Sequence, residues 1–515
     1  MSAPSQRGIA ASPSAYRWGA GQLVAAVTTG APWTAERVTR DALAQAAALE
    51  PLGAYVSRDP ARSLAIAAEV DAALQGGGPP LALAGVPVSI KDNIAEAGQP
   101  LSACSRMLAG YRSPFDATVT ARLRDAGAVP VGRTNMDEFG MGSSTETGVF
   151  GPASNPWDPT RVAGGSSGGA AISVATGSAA LALGTDTGGS VRLPAALCGV
   201  VGLKPSYGRV SRHGVVAYAS SLEQVGLLAR SVEDVALGLS VISGRCAMDA
   251  TCADAPPFAV EEIAKRDAAP LRVGVPRQVL DALRGFGGHQ GLTDDVRQRF
   301  EAGLIALQTA GVDLCEIALP DLEAAVPTYY VIATAEASTN LARYDGLRYG
   351  HRAARAPGDD LHAFAARSRS EGFGAEVKQR ILLGNFVLSA GQQDAYYMRA
   401  CRVRARLHRT FMAALAHCDA VALPTAPTTA WPRGAHLDDP LLLYAMDIFT
   451  VLANLTGAPA LSIPLAQAPG QLPAGLQLLG APFAEATLCA LGQRLEAQRG
   501  PLPSPTTTEF GAAKR

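Results

Sequence analysis

The chain has 515 residues, 48% of them hydrophobic and 17% charged, with 44 basic side chains against 45 acidic ones. That balance suits a globular protein with a deep core and excludes a disordered or fibrous chain; it leaves no global field to gather DNA or an anionic membrane. The start MSAPSQRGIAASPSAYRW has no apolar run behind its basic charge, and no stretch approaches roughly eighteen uninterrupted apolar residues, so the expected compartment is the cytoplasm and no membrane contact is expected.

Thr34 precedes an Ala/Leu-rich run to about Leu52, and a second run spans Ala61 to Leu74; both consist of good helix formers. GGGPP at 76–80 breaks the helix, and LALAGVPVSI at 81–90 is β-rich and apolar, suited to a buried strand. Helical patterning returns from Asp116 to Asp125, Gly127 stops it, and AVPVG at 128–132 reads as the next strand. The alternation continues through an Ala-rich segment at 170–176, LALG at 181–184, a Ser231-capped helix with Asp234 at its third position, and LRVGVP at 271–276. Residues 244–269 lack periodicity and read as a surface excursion, 321–418 are dominated by helical patterning, and 419–424 and 458–464 look like two more strands. The simplest account is an α/β protein with a mixed or parallel sheet and helices on its faces. Eight cysteines are scattered without a C-x-x-C pair or metal-ligand spacing, which reads as reduced, mostly buried thiols and no metal.

The strongest local anomaly is chemical. GGSSGG at 164–169 and GTDTGGS at 184–190 concentrate glycine and serine far beyond what packing requires. Bare N–H groups in such turns make a nest for negative charge, either a bound phosphate or the transient oxyanion of acyl transfer. The phosphate reading lacks its partners, since no G-x-x-x-x-G-K-[ST] occurs and the nearby lysine is Lys204 in GLKPS. Gly164, Ser166 and Gly168 also satisfy G-x-S-x-G, the nucleophile elbow of Ser-His-Asp hydrolases. Yet none of the seven histidines (His213, His289, His351, His362, His408, His417, His436) stands in a comparably loaded context. A serine without a histidine needs another base, and Lys91 in VSIKDN closes an apolar strand, where desolvation lowers an ammonium's pKa. From an ordinary value of about 10.4, only on the order of a thousandth of a lysine is neutral near pH 7.5, so a working base needs that lowering or a relay serine. The alternative is a strand-end lysine snorkelling to solvent.

Together, KDN at 91–93, GGSSGG and GTDTGGSVR at 184–192 resemble the amidase signature family. The resemblance implies an α/β amidase-signature fold, one large mixed β-sheet covered by helices on both faces. It implies Ser190 as nucleophile, Ser166 as a relay serine in a cis peptide and Lys91 as base. Thr187, Gly188 and Gly189 are then expected to donate N–H groups to the oxyanion, and Asp186 and Arg192 to support the loop. Later segments, including TNMDEFGMGSSTETGVFGP, SRSEGFGAEVKQRILLG and YAMDIFTVLANLTGAPALSIP, are similar to the family's glutaminase branch, the A subunits of tRNA-dependent amidotransferases.

A glutaminase pocket must read a zwitterion with one fixed cation and one fixed anion. On this resemblance Arg380 pairs with the substrate carboxylate, Asp447 with its ammonium, and Tyr330 of the Tyr329-Tyr330 pair lines the pocket. The resemblance implies glutamine as substrate, B and C subunits as partners, tRNA held mainly by a partner, no cofactor in this chain, and ATP and magnesium in the partner subunit; it leaves open whether Gln-tRNA or Asn-tRNA is the product. The expected division of the chain is an N-terminal helical segment at 1–75, a catalytic domain at 76–490 with 244–269 as a surface excursion, and a tail at 491–515. The segment 1–75 and the tail carry little resemblance, and Gln392-Gln393 depart from the aromatics usual in that branch, which bears on partner contacts. The competing readings are a free-standing amidase for small amides and a non-catalytic scaffold subunit.

Overall fold

The computed structural model describes residues 17–30, 32–282, 291–435, 437 and 440–505. In chain order its strands are β1 (Tyr55–Ser57), β2 (Pro87–Lys91), β3 (Val129–Thr134), β4 (Leu181–Asp186), β5 (Val201–Lys204), β6 (Gln224–Ala229), β7 (Arg272–Val275), β8 (Asp313–Glu316), β9 (Ala420–Pro424), β10 (Ala460–Pro464) and β11 (Gly475–Gly480). They form one eleven-stranded sheet in the order β1-β3-β2-β4-β6-β5-β10-β11-β9-β7-β8. The sheet is mixed: β2 runs parallel to both β3 and β4, β7 parallel to β8 and β9, and the remaining pairs are antiparallel.

Every residue of β2, β4, β5, β6, β9, β10 and β11 is buried, so both faces of the central sheet are covered, as the expected helical layers require. One core cluster gathers side chains from Ala20 to Leu495. The helices begin where capping chemistry allows. Thr34 accepts from the Arg37 N–H to start Ala35–Ala48, Asp59 does the same for Pro60–Gln75, and Ser231 accepts from the Asp234 N–H to start Val232–Ile242.

Several expectations shift. The run 81–90 is strand only from Pro87, because Gly85 at φ +68° turns the chain just before it. Strands β1, β5, β6, β8 and β11 had no counterpart in the sequence reading, and β1 places part of the segment 1–75 in the sheet. The excursion 244–269 contains the helix Glu261–Asp267 and buries Phe258 and Ile263. The helix Glu485–Arg499 runs through the expected boundary at 490 and buries Leu491 and Leu495. The cysteines divide evenly, Cys104, Cys198, Cys418 and Cys489 being buried and the other four partly exposed, all as free thiols. Among the described residues no helix is long and apolar enough to cross a membrane.

What matters for chemistry is that β2 and β4 are parallel neighbours, Val88 opposite Leu181 and Ile90 opposite Leu183. Their carboxyl ends therefore emerge on one edge of the sheet, bringing Lys91 and Asp186 together.

Candidate active site

Lys91 ends β2 with no solvent exposure. Its Nζ donates to Ser166 Oγ at 2.8 Å, Ser167 Oγ at 2.8 Å and Thr185 Oγ1 at 3.0 Å, and lies 3.3 Å from the Thr185 carbonyl oxygen. This is not a snorkelling lysine: its head group is enclosed by hydroxyls. Burial pulls its ammonium down from 10.5 to about 8, against the opposing fields of Glu223, Asp137, Asp186 and Cys104. Ser166 follows a cis peptide bond from Gly165 and is itself buried.

The GTDTGGS loop is built around Asp186. Its carboxylate accepts from the N–H groups of Gly189 (2.9 Å) and Val191 (3.2 Å), from Arg192 Nε and Nη2 (both 3.0 Å) and from Asn454 Nδ2 (3.0 Å). Both members of the ion pair are fully buried, so it is no ordinary surface pair. Burial alone would raise the Asp186 carboxyl; the Arg192 guanidinium, with Lys204 and Asn454, overrides it and holds the group at about 2. Arg192 extends to the Thr450 carbonyl, Gln477 Oε1 and Asn454 Oδ1, tying the loop to β11 and to the helix Val451–Thr456.

Ser190, at the tip, is the partly exposed member of the expected triad. Its carbonyl accepts from the Ser167 N–H at 3.1 Å, which clamps the two glycine-serine loops together. The Lys91–Ser166 arm of the triad is hydrogen-bonded; the Ser190 hydroxyl has no hydrogen-bond partner among the described residues. Gly189 is corrected as an expected oxyanion donor, since its N–H already goes to Asp186. Thr187 and Gly188 are the members of the expected trio whose N–H groups have no acceptor among the described residues. Glycine is required at 189 by φ +141° and at 188 by Tyr329, whose Cζ would stand 2.6 Å from an added Cβ.

Several donors that a phosphate nest would use are already taken. The N–H groups of Ser167, Gly168 and Gly169 are given to the Ser190 carbonyl, Thr145 Oγ1 and the Asn135 carbonyl, and Asp186 itself fills the second loop with negative charge. The histidine reading fails on contact. Ser166 meets a lysine, while His213 lies against Thr118, His351 against Glu371 and His408 against the Thr456 carbonyl; His289 and His436 lie outside the described residues.

Arg380, Asp447 and Tyr330 form one cluster. Tyr330 donates its hydroxyl to Asp447 Oδ2 at 3.3 Å, and Arg380 lies over the Tyr330 ring at 5.3 Å. Both charged groups are buried. Burial raises the Asp447 carboxyl from 3.8 to about 7, against Ser143 (2.9 Å from its Oδ2), Arg380 and Tyr330. For Arg380 burial disfavours the charge, and the neighbouring tyrosines with Glu376 more than restore it. Tyr329 packs edge-on against Tyr330 with ring centroids 5.0 Å apart, hydrogen-bonds Tyr218 and also faces Gly188, so both tyrosines border this cluster, Tyr330 being the one bonded to Asp447.

The sequence reading missed Ser167, Thr185, Tyr218, Glu376, Tyr444, Thr450 and Asn454. Two of these carried a signal: Ser167 is the second serine of GGSSGG, and Glu376 stands one helical turn before Arg380. Tyr218 lies on the segment joining β5 to β6, with nothing nearby in sequence to mark it.

Residues 37–489 match the family model described as Amidase. The A subunit of the glutamyl-tRNA(Gln) amidotransferase of Symbiobacterium thermophilum is 49% identical over 454 residues, covering 88% of this chain and 91% of that protein. Among solved structures, the A subunit of the glutamyl-tRNA(Gln) amidotransferase of Thermotoga maritima superposes with a TM-score of 0.76 at 35% identity, covering 95% of this chain and 98% of that one. The native peptide amidase of Stenotrophomonas maltophilia gives 0.78 at 30% identity, covering 96% and 99%. The chain belongs to the amidase family, and within it to the branch of glutamyl-tRNA(Gln) amidotransferase A subunits.

Proposed function

We propose that this chain hydrolyses glutamine to glutamate and ammonia as the glutaminase subunit of a tRNA-dependent amidotransferase. The observation that carries the reading is the buried Lys91–Ser166 contact beside Ser190, with an Arg380/Asp447 pair to read a zwitterion. Ser190 Oγ attacks the side-chain carboxamide carbon; its proton passes to Ser166, whose own proton passes to Lys91 Nζ. The oxyanion is stabilised by the N–H groups of Thr187 and Gly188. Lys91 then returns the proton through Ser166 to the departing nitrogen, ammonia leaves, and water attacks the Ser190 ester to give glutamate. Arg380 binds the α-carboxylate, Asp447 the α-ammonium, and Tyr330 orients Asp447. Asp186 and Arg192 act by holding the loop.

These steps use only protons and the chain's own side chains, so no cofactor is assigned here. B and C subunits are proposed as partners, with ATP, magnesium and most tRNA contacts on a partner subunit, and the cytoplasm as the compartment. The proposed catalytic domain extends beyond 76–490 to take in β1 (Tyr55–Ser57) and the whole helix Glu485–Arg499, which share its sheet and core. The test is ammonia release from glutamine against simple aliphatic and aryl amides, first by the chain alone and then with B and C subunits, ATP and Glu-tRNA(Gln). Glutamine-selective release that rises with partners and tRNA is expected. Robust partner-free hydrolysis of simple amides with glutamine ignored would make it a free-standing amidase.

A further inference from the structure

We propose that Tyr218 and Glu376 are positioning residues that set the carboxylate specificity of the site through Arg380, an inference that rests on the glutamine reading above. A guanidinium carries five N–H donors in a planar fork. Glu376 Oε1 takes Nε at 2.7 Å from one turn earlier on the helix Ala375–Leu388, and Tyr218 Oη takes one hydrogen of Nη1 at 2.6 Å from the segment between β5 and β6. A single tether would let the plane swing about it; two tethers from separate elements fix it. The second hydrogen of Nη1 and both of Nη2 are left over, and Nη2 has no acceptor among the described residues. Neighbouring Nη hydrogens suit the two oxygens of a carboxylate.

Tyr218 is not free to drift. Its N–H donates to Glu223 Oε2 at 3.2 Å, its carbonyl accepts from Asn340 Nδ2 at 3.1 Å, and its side chain is buried. The hydroxyl position is therefore inherited from the core. The rings of Tyr218, Tyr330 and Tyr444 surround the guanidinium at 5.7, 5.3 and 5.5 Å and thin the water on its flanks, which strengthens a bond to an incoming anion. A substrate lacking the α-carboxylate leaves that oriented cation without its partner, so orientation translates into selectivity and not into uniform binding.

The test compares glutamine with glutaminol, in which a hydroxymethyl group replaces the α-carboxylate, using the full-length chain assembled with its partner subunits. Tyr218→Phe and Glu376→Gln are each expected to raise KM for glutamine about tenfold or more with a smaller change in kcat, and to leave kcat/KM for glutaminol within about twofold. A Tyr218→Phe enzyme that keeps the wild-type preference for glutamine, or one that loses both substrates equally, would overturn the positioning role. A wild type that does not distinguish the two, matched by Arg380→Ala, would instead overturn the glutamine reading and this inference with it. If Glu376→Gln fails to fold, Tyr218→Phe decides alone, because it removes one oxygen from an otherwise intact ring.

Discussion

The burial of Lys91 sets the pH dependence of turnover. With its ammonium at about 8 and not 10.5, close to a tenth of the side chain is neutral at pH 7, about 300 times the fraction of an unperturbed lysine. If its amine is the base, kcat rises with pH, steeply below 7, and levels off above about 8. Glu223, raised by burial to about 7, ionises on the way and supports the ammonium, which stretches the limb; burial pushes the Asp137 carboxyl up as well, while Asp186, held at about 2, contributes a constant negative field. Thr185→Val removes the hydroxyl that accepts from Nζ at 3.0 Å while keeping the side chain's shape. A hydrogen bond to a charged group is worth roughly 1.5 kcal/mol, or about one pKa unit, and it favours the protonated form. The variant's limb is therefore expected at lower pH by about half a unit to one unit. The assay is initial ammonia release at saturating glutamine from pH 5.5 to 9.5. A flat wild-type profile, or a limb that moves upward in Thr185→Val, would refute the reasoning.

Asp186→Asn leaves the Arg192 charge buried without its counter-ion and is expected to cost about 3–5 kcal/mol, read by urea unfolding. In the wild type, the Asp186 carboxyl lies at about 2 when folded against 3.8 unfolded, so its ionised form contributes about 2.5 kcal/mol above pH 3.8, lost as the pH falls towards 2. Gly188→Ala drives a methyl against the Tyr329 ring and displaces an oxyanion N–H; kcat is expected to fall about a hundredfold or more with secondary structure intact by circular dichroism, and activity within twofold of wild type would count against that assignment. Asp447→Asn is expected to raise KM for glutamine and to remove from kcat/KM the titration near pH 7, leaving the Lys91 limb in kcat unchanged.

The parts of this molecule that could be read from the chain are those whose chemistry is local. The lysine at the end of an apolar strand and the two glycine-serine clusters announce themselves, and the caps Thr34 and Ser231 mark helix starts within the residues they serve. Strands β5 and β6 are interrupted by Gly202 and Gly226, where close packing leaves no room for a side chain, and β11 is bounded by Gly475 and Gly480 with Gln477 inside it, so their apolar runs look too short for strands. The arginine cradle was half visible. Glu376 follows from helical periodicity, but Tyr218 reaches Arg380 across 162 positions, a distance only the assembled sheet closes. Gly189 shows the opposite failure: its residue type suits an oxyanion donor, and only the position of Asp186 shows where its N–H goes.

The most direct measurement is to trap the reaction. The enzyme would be mixed with glutamine, acid-quenched within the first turnovers, digested and mapped by mass spectrometry. A γ-glutamyl ester on Ser190, absent from Ser190→Ala, is the predicted result. An adduct on Ser166, or wild-type ammonia release from a folded Ser190→Ala, would contradict the account.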